Sequence, residues 1–174
     1  VLPFGGHYSG TRVDIEGEPR RPDGQGLSTG FGVTDANYFT AMQIPLKQGR
    51  LFTETEATEM RHVVIVNEAF VRKNLPGQDP IGKRVTVLMK DDAVPTEIIG
   101  VVGDHKHMGL DTEVEPMSYW PHPELAFNRM TLIVRTKGDA ASFAPAARNV
   151  IANIDPDQAV GNVATMDELL GKSI

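Results

Sequence analysis

Residues 75–84, LPGQDPIGKR, carry the spacing of a phosphate-binding loop. Gly77, four residues, then Gly82 and Lys83 repeat G-x-x-x-x-G-K-[ST], in which backbone N–H groups cradle phosphates and the lysine reaches the outer ones. The last position fails, with Arg84 where the magnesium-binding hydroxyl belongs. Further on, GDHKHMGLD offers Asp104, His105, His107 and Asp111 as ligands for zinc or another divalent ion, and the two histidines share one side of an extended chain. GGHYSG sets a histidine near a serine, without the G-x-S-x-G arrangement of a nucleophile elbow. The carboxylate pairs Asp91–Asp92 and Glu113–Glu115 lie in polar segments near Pro or Gly, where nothing would separate their pKa values into an acid and a base.

The surrounding elements decide among these chemistries. A phosphate loop leaves a strand and enters a helix, because the helix N-terminus supplies the donors and the positive end of the dipole. Here a helix ending near Asn74 comes first and VTVLM, a strand by composition, comes after. Pro80 also removes one N–H donor. The stretch therefore reads as a rigid two-turn connector, with Pro76-Gly77 as a turn pair and Pro80 holding Asp79 extended. A metal site on His105 and His107 needs further ligands, and His7, His62 and His122 show no partner spacing, so the histidines read as a solvated turn after EIIGVVG. No catalytic set, metal site or cofactor site is expected. The aromatic run YWPHP and the ELAF after it, with Tyr119, Trp120 and Phe127, are the candidate surface for a ligand or partner, since such rings combine apolar area with a polar tip.

The rest of the chain alternates between strand and helix patterns. TRVDIEG puts Val13 and Ile15 on one face of a strand in a region, 1–29, that reads as a hairpin with a long polar loop. GFGVTDANYFTAMQI reads as a strand entering a short helix that Pro45 stops. HVVIVNEAFVRKNL is a buried strand feeding a helix, with Asn67 as the cap between them. KRVTVLM and TEIIGVVGD form a hairpin, and MTLIVRT is another strand. DAASFAPAARNVIANID places Phe143, Ala147, Val150, Ile151 and Ile154 on one helical face, with Pro145 tolerable if the first turn starts near Ser142. AVGNVATMDELL adds a strand and a helix start with Thr165 and Glu168 at capping-box spacing.

Composition narrows the classes further. The 174 residues are 40% hydrophobic and 23% charged, which suits a packed globular chain and argues against general disorder. A net charge of -6 with no strong basic cluster sets nucleic acid aside. The absence of cysteine removes disulfides and thiol chemistry together. No apolar run has the length of a membrane span, and the first residues lack the pattern of a signal peptide.

Four blocks carry a resemblance: NYFTAMQIPLKQGRLFT, VVIVNEAFVRKNLPGQDPIGKRV, EIIGVVGDHKHMGLDTEVEPMSYWP, and TLIVRT followed by IDPDQAVGNVATMDELL. In this order they resemble the MacB-like periplasmic core domain of MacB/FtsX-type ABC transporter permeases, from about Gly30 to Leu170 and most specifically from Asn67 to Val85. The resemblance implies an α+β fold of two lobes, a porter-like βαβ lobe and a smaller inserted α/β lobe. Transferred by block, 1–44 and 105–174 would form the porter-like lobe and 45–104 the inserted one. It implies a non-catalytic domain on the periplasmic side of the inner membrane, carried by flanking transmembrane helices of the same permease. The implied partners are a separate cytoplasmic ATP-binding subunit or domain, a second permease copy and a periplasmic adaptor. The family's domain also opens with a further strand and helix before the segment matching VLPFGG, so the porter-like lobe is expected to expose a sheet edge and part of an apolar face. The competing classes are a soluble module for a small hydrophobic ligand or peptide and, third, a metal-dependent enzyme built on His105 and His107.

Overall fold

The computed structural model describes residues 10–19, 26–88, 94–107, 111–124 and 130–171. Its centre is β4 (Val63–Asn67), the VVIVN run, in which every residue is buried. A strand apolar on both faces must be covered on both. Val64 and Val66 pack into one cluster with Val13, Phe31, Val85, Ile98 and Trp120, while Val63 and Ile65 pack into a second with Phe39, Phe52, Met117 and Tyr119.

Seven strands build one mixed sheet in the order β3-β6-β4-β7-β2-β1-β5. β1 (Gly10–Ile15) and β2 (Leu27–Thr34) form the expected antiparallel hairpin, from Gly10↔Gly30 to Val13↔Leu27. β2 continues into α1 (Tyr38–Met42), whose Tyr38 and Phe39 roof the second cluster. β5 (Arg84–Val87) pairs with β1 and, at Arg84↔Glu97 and Val85↔Thr96, with β6 (Thr96–Val102). The sheet therefore closes on itself. β6 lies along β4 on one side and shares its other side between β5 at its start and the short β3 (Leu46–Gly49) at its end. A register shift between Val64 and Ile65 leaves one extra residue in β6, so that Ile98 and Val101 enter the first cluster while Ile99 and Val102 enter the second. Gly100 sits at this bulge, where a Cβ would run into the Arg50 carbonyl.

Asn67 holds three elements at one point. It ends β4, is fully buried, and caps α3 (Glu68–Asn74) as its position predicted, taking the Phe70 N–H at 2.9 Å on Oδ1. The same oxygen accepts the Met117 N–H at 2.8 Å, and Nδ2 donates to the Glu115 carbonyl at 3.0 Å. Met117 opens β7 (Met117–Pro121), a central strand between β4 and β2 that the sequence reading treated as an aromatic surface.

β4 and β5, inside 45–104, pair with β7 and β1 outside it. Residues 131–136 and 159–165, expected as strands, are not strands in this structure, since a β-rich sequence becomes one only beside a partner strand. Ile133 packs instead against the second cluster, and Arg135 Nε donates to the Ala41 carbonyl at 2.6 Å. α4 (Ala140–Ile154) begins two residues before the expected start, capped by Asp139, and so contains Pro145 within it. Its apolar face is open: Phe143 is 45%, Val150 59% and Ile154 80% exposed. α5 (Met166–Gly171) starts at the expected capping box, with Thr165 N–H donating to Glu168 and Glu168 N–H to Thr165 Oγ1.

Replacing Asn67 with Ala strands the Phe70 and Met117 N–H groups and the Glu115 carbonyl, at a cost of about 1–3 kcal/mol for each buried group left unpaired. The expected result in denaturant unfolding is a loss of at least ~3 kcal/mol, several times that of an Ala substitution at exposed Glu59.

Candidate functional site

The loop between α3 and β5 is built as two turns, with Gly77 and Gly82 at φ 72° and 81°, where a side chain would be strained. Four of its backbone donors are engaged. Gln78 N–H donates to the Leu75 carbonyl at 3.1 Å, Gly82 N–H to Ile98 at 2.9 Å and Lys83 N–H to Pro80 at 3.2 Å. Ile81 N–H donates to the Asp79 carboxylate at 3.1 Å, which also takes the Gln48 amide at 2.8 Å. The amides that would cradle a phosphate thus tie the loop to itself and to β6, and no helix N-terminus follows it.

The histidines and the aromatic candidates meet at the other end of β6. Leaving Val102, the chain passes Asp104, whose carboxylate accepts the Ala69 N–H at 2.8 Å and the Arg72 guanidinium at 2.7 Å. Asp104, a candidate metal ligand by sequence, is here committed to the first turn of α3. Beyond it the His105 and His107 rings lie 4.2 Å apart at 56°. His105 stacks over Tyr119 at 5.9 Å and 24°, and the Tyr119 hydroxyl stands 3.4 Å from Nε2 of each histidine. Behind Tyr119 are Phe39, edge-on at 5.1 Å, and Tyr38 at 6.1 Å.

Burial sets the charge state of this group. Desolvation is the largest cause in each case: it lowers His105 to about 4, against smaller opposing effects of the Gly103 backbone and Asp104, and lowers His107 to about 3, helped by repulsion from His105. Desolvation likewise raises the Tyr38 and Tyr119 hydroxyls. Both imidazoles are therefore neutral at pH 7, and Nδ1 of His107 is buried without a hydrogen-bond partner. The histidines do converge, as alternate residues on an extended chain should, but on a tyrosine instead of on further ligands. Among the described residues no group of three or more His, Cys, Asp or Glu is placed to hold a metal ion, and Asp111 is exposed.

Tyr119 and Trp120 alternate along β7 into the two opposite clusters, at 0% and 3% exposure. The Trp120 indole N–H donates to Ser118 Oγ at 3.0 Å. Neither ring offers a surface to a partner in this structure, and Phe127 lies outside the described residues. The tie from Asp104 to α3 spans 35 residues and left no local signal in the sequence. The cap of α2 (Glu54–Thr58) did leave one: Thr53 and Glu56 have capping-box spacing and exchange both bonds, and Arg50 pairs with Glu56 at 2.7 Å.

Residues 7–164 match the MacB-like periplasmic core domain. The chain belongs to this family. Macrolide export ATP-binding/permease protein MacB of Aggregatibacter actinomycetemcomitans is 33% identical over 80 residues, which are 46% of this chain and 12% of that protein. Two solved structures share the fold. The periplasmic region of MacB from Actinobacillus actinomycetemcomitans aligns with a TM-score of 0.58 at 17% identity, over 84% of this chain and 64% of its own. The extracellular domain of the noncanonic ABC-type transporter YknZ from Gram-positive bacteria aligns at 0.57 and 16% identity, over 87% and 74%. The sequence resemblance and the α+β fold thus agree with this MacB-like core domain, in which no helix among the described residues is long and apolar enough to cross a membrane.

With its loop amides engaged, the purified chain is expected to show no saturable ATP binding by calorimetry, and Lys83→Ala to change nothing. Stoichiometric binding lost in that variant would overturn this reading of the loop.

Proposed function

We propose that this chain is the extracytoplasmic domain of an ABC-type permease and relays ATP-driven motion without catalysing a reaction of its own. The family match across residues 7–164 carries the proposal. Supporting it, the residues with the best chemistry are spent on structure: the 75–84 loop on turns, Asp104 on a helix cap, the histidines on packing. A closed sheet with a doubly covered central strand is stiff, as a relay must be, because motion is transmitted by bodies with a few discrete arrangements.

In the complete permease, transmembrane helices of the same chain would hold the domain on the periplasmic side of the inner membrane. A separate ATP-binding subunit or domain would act from the cytoplasm, with a second permease copy and a periplasmic adaptor as further partners. The sheet body, residues 10–124, would be the inserted lobe, and 130–171 part of the porter-like lobe. The open face of α4 would be covered by the rest of that lobe, since the solved MacB periplasmic region extends well beyond the part matched here.

Lys137 is exposed, and the chain has no cysteine of its own. With other accessible cysteines removed, Lys137→Cys in the complete protein is expected to react with a membrane-impermeant maleimide on intact spheroplasts. Labelling only after lysis would place the domain on the wrong side.

A further inference from the structure

Asp104 to His107 cross the end of the sheet as a strap with two attachments. At one, Asp104 holds α3 through the Ala69 N–H in its first turn and Arg72 in its last. At the other, the His105 and His107 rings lie on each other and on Tyr119. We propose that this strap is an acid-released latch: protonation of the paired histidines lifts residues 104–107 off Tyr119 and withdraws Asp104 from α3.

The groups around the pair give a proton little compensation. The strap itself contributes Asp104 and Lys106; Asp104, the one carboxylate drawing on His105, already serves Ala69 and Arg72 of α3. β7 contributes the neutral Tyr119 hydroxyl, with the Tyr38 hydroxyl of α1 behind it. The two imidazoles lie 4.2 Å apart, so a charge on one opposes a charge on the other.

The direction follows from linkage. The held strap keeps both histidines neutral, to about 4 and about 3, whereas a released strap lets them titrate at their ordinary value near 6.5. The latch is therefore fully closed above about pH 6.5 and weakens as pH falls toward 4, with opening favoured about tenfold per pH unit for each imidazole that takes up a proton.

Two adjacent amides report on it. Ala69 N–H donates to Asp104, across the strap, while Phe70 N–H donates to Asn67, which the strap does not touch. Hydrogen exchange by NMR on the whole chain between pH 7.0 and 5.0, corrected for intrinsic rates, is expected to show Ala69 losing at least about tenfold in protection while Phe70 keeps its own. The double variant His105→Phe, His107→Phe, or His105→Asn, His107→Asn if the first does not fold, is expected to hold Ala69 protection level across the range. Equal loss at Ala69 and Phe70, unchanged protection at Ala69 in the wild type, or the same loss in the variants would overturn the proposal.

Discussion

The structure depends on one constraint: β4 is apolar on both faces and ends in a buried amide that must find three partners. Covering both faces forces two clusters, one enclosed by the closing sheet and one roofed by α1 and the segment around Phe52. Satisfying Asn67 fixes where α3 starts and where β7 enters, because an unpaired polar group at zero exposure is more costly than a displaced strand end. Closure through β5 and β6 follows, and β3 is left as the one strand with a single ladder partner among the described residues. That edge is four residues long, irregular at its bulge and carries Lys47, which makes it a poor template for another chain.

What could be read from the sequence was local. The β1–β2 and β5–β6 pairings, the β4–α3 unit and its Asn67 cap, and the Thr165–Glu168 box each rest on residues close enough to specify one another. The turn character of 75–84 was legible for the same reason, through two glycines and two prolines. β7 was not: its Tyr and Trp look alike to a search for surface aromatics, and only the sheet reveals that alternation sends one to each cluster. The β4–β7 and β1–β5 pairings were hidden for the same reason, since they join segments far apart in the chain.

The candidate chemistry divides along the same line. His105 and His107 were expected to share a side of the chain and they do, yet their destination, the Tyr119 hydroxyl, belongs to a strand the sequence reading did not recognise. Asp104 shows the converse case, a residue with ligand chemistry whose charge is used on a helix terminus, where the dipole and the free N–H both favour it. Polar groups disposed in this way stiffen a body and fix its neighbours' positions. The apolar side of α4, with Phe143, Val150 and Ile154, stays exposed.

Distances in the complete permease test the relay most directly. Spin labels at exposed Glu59 and Arg84 report on the closed sheet, and Glu59 labels on two permease copies report on how the domains move against each other. Between nucleotide-free and ATP-bound states, a rigid relay keeps the first distance unchanged and shifts the second. An inter-copy distance indifferent to nucleotide, or a sheet that changes internally, would contradict it.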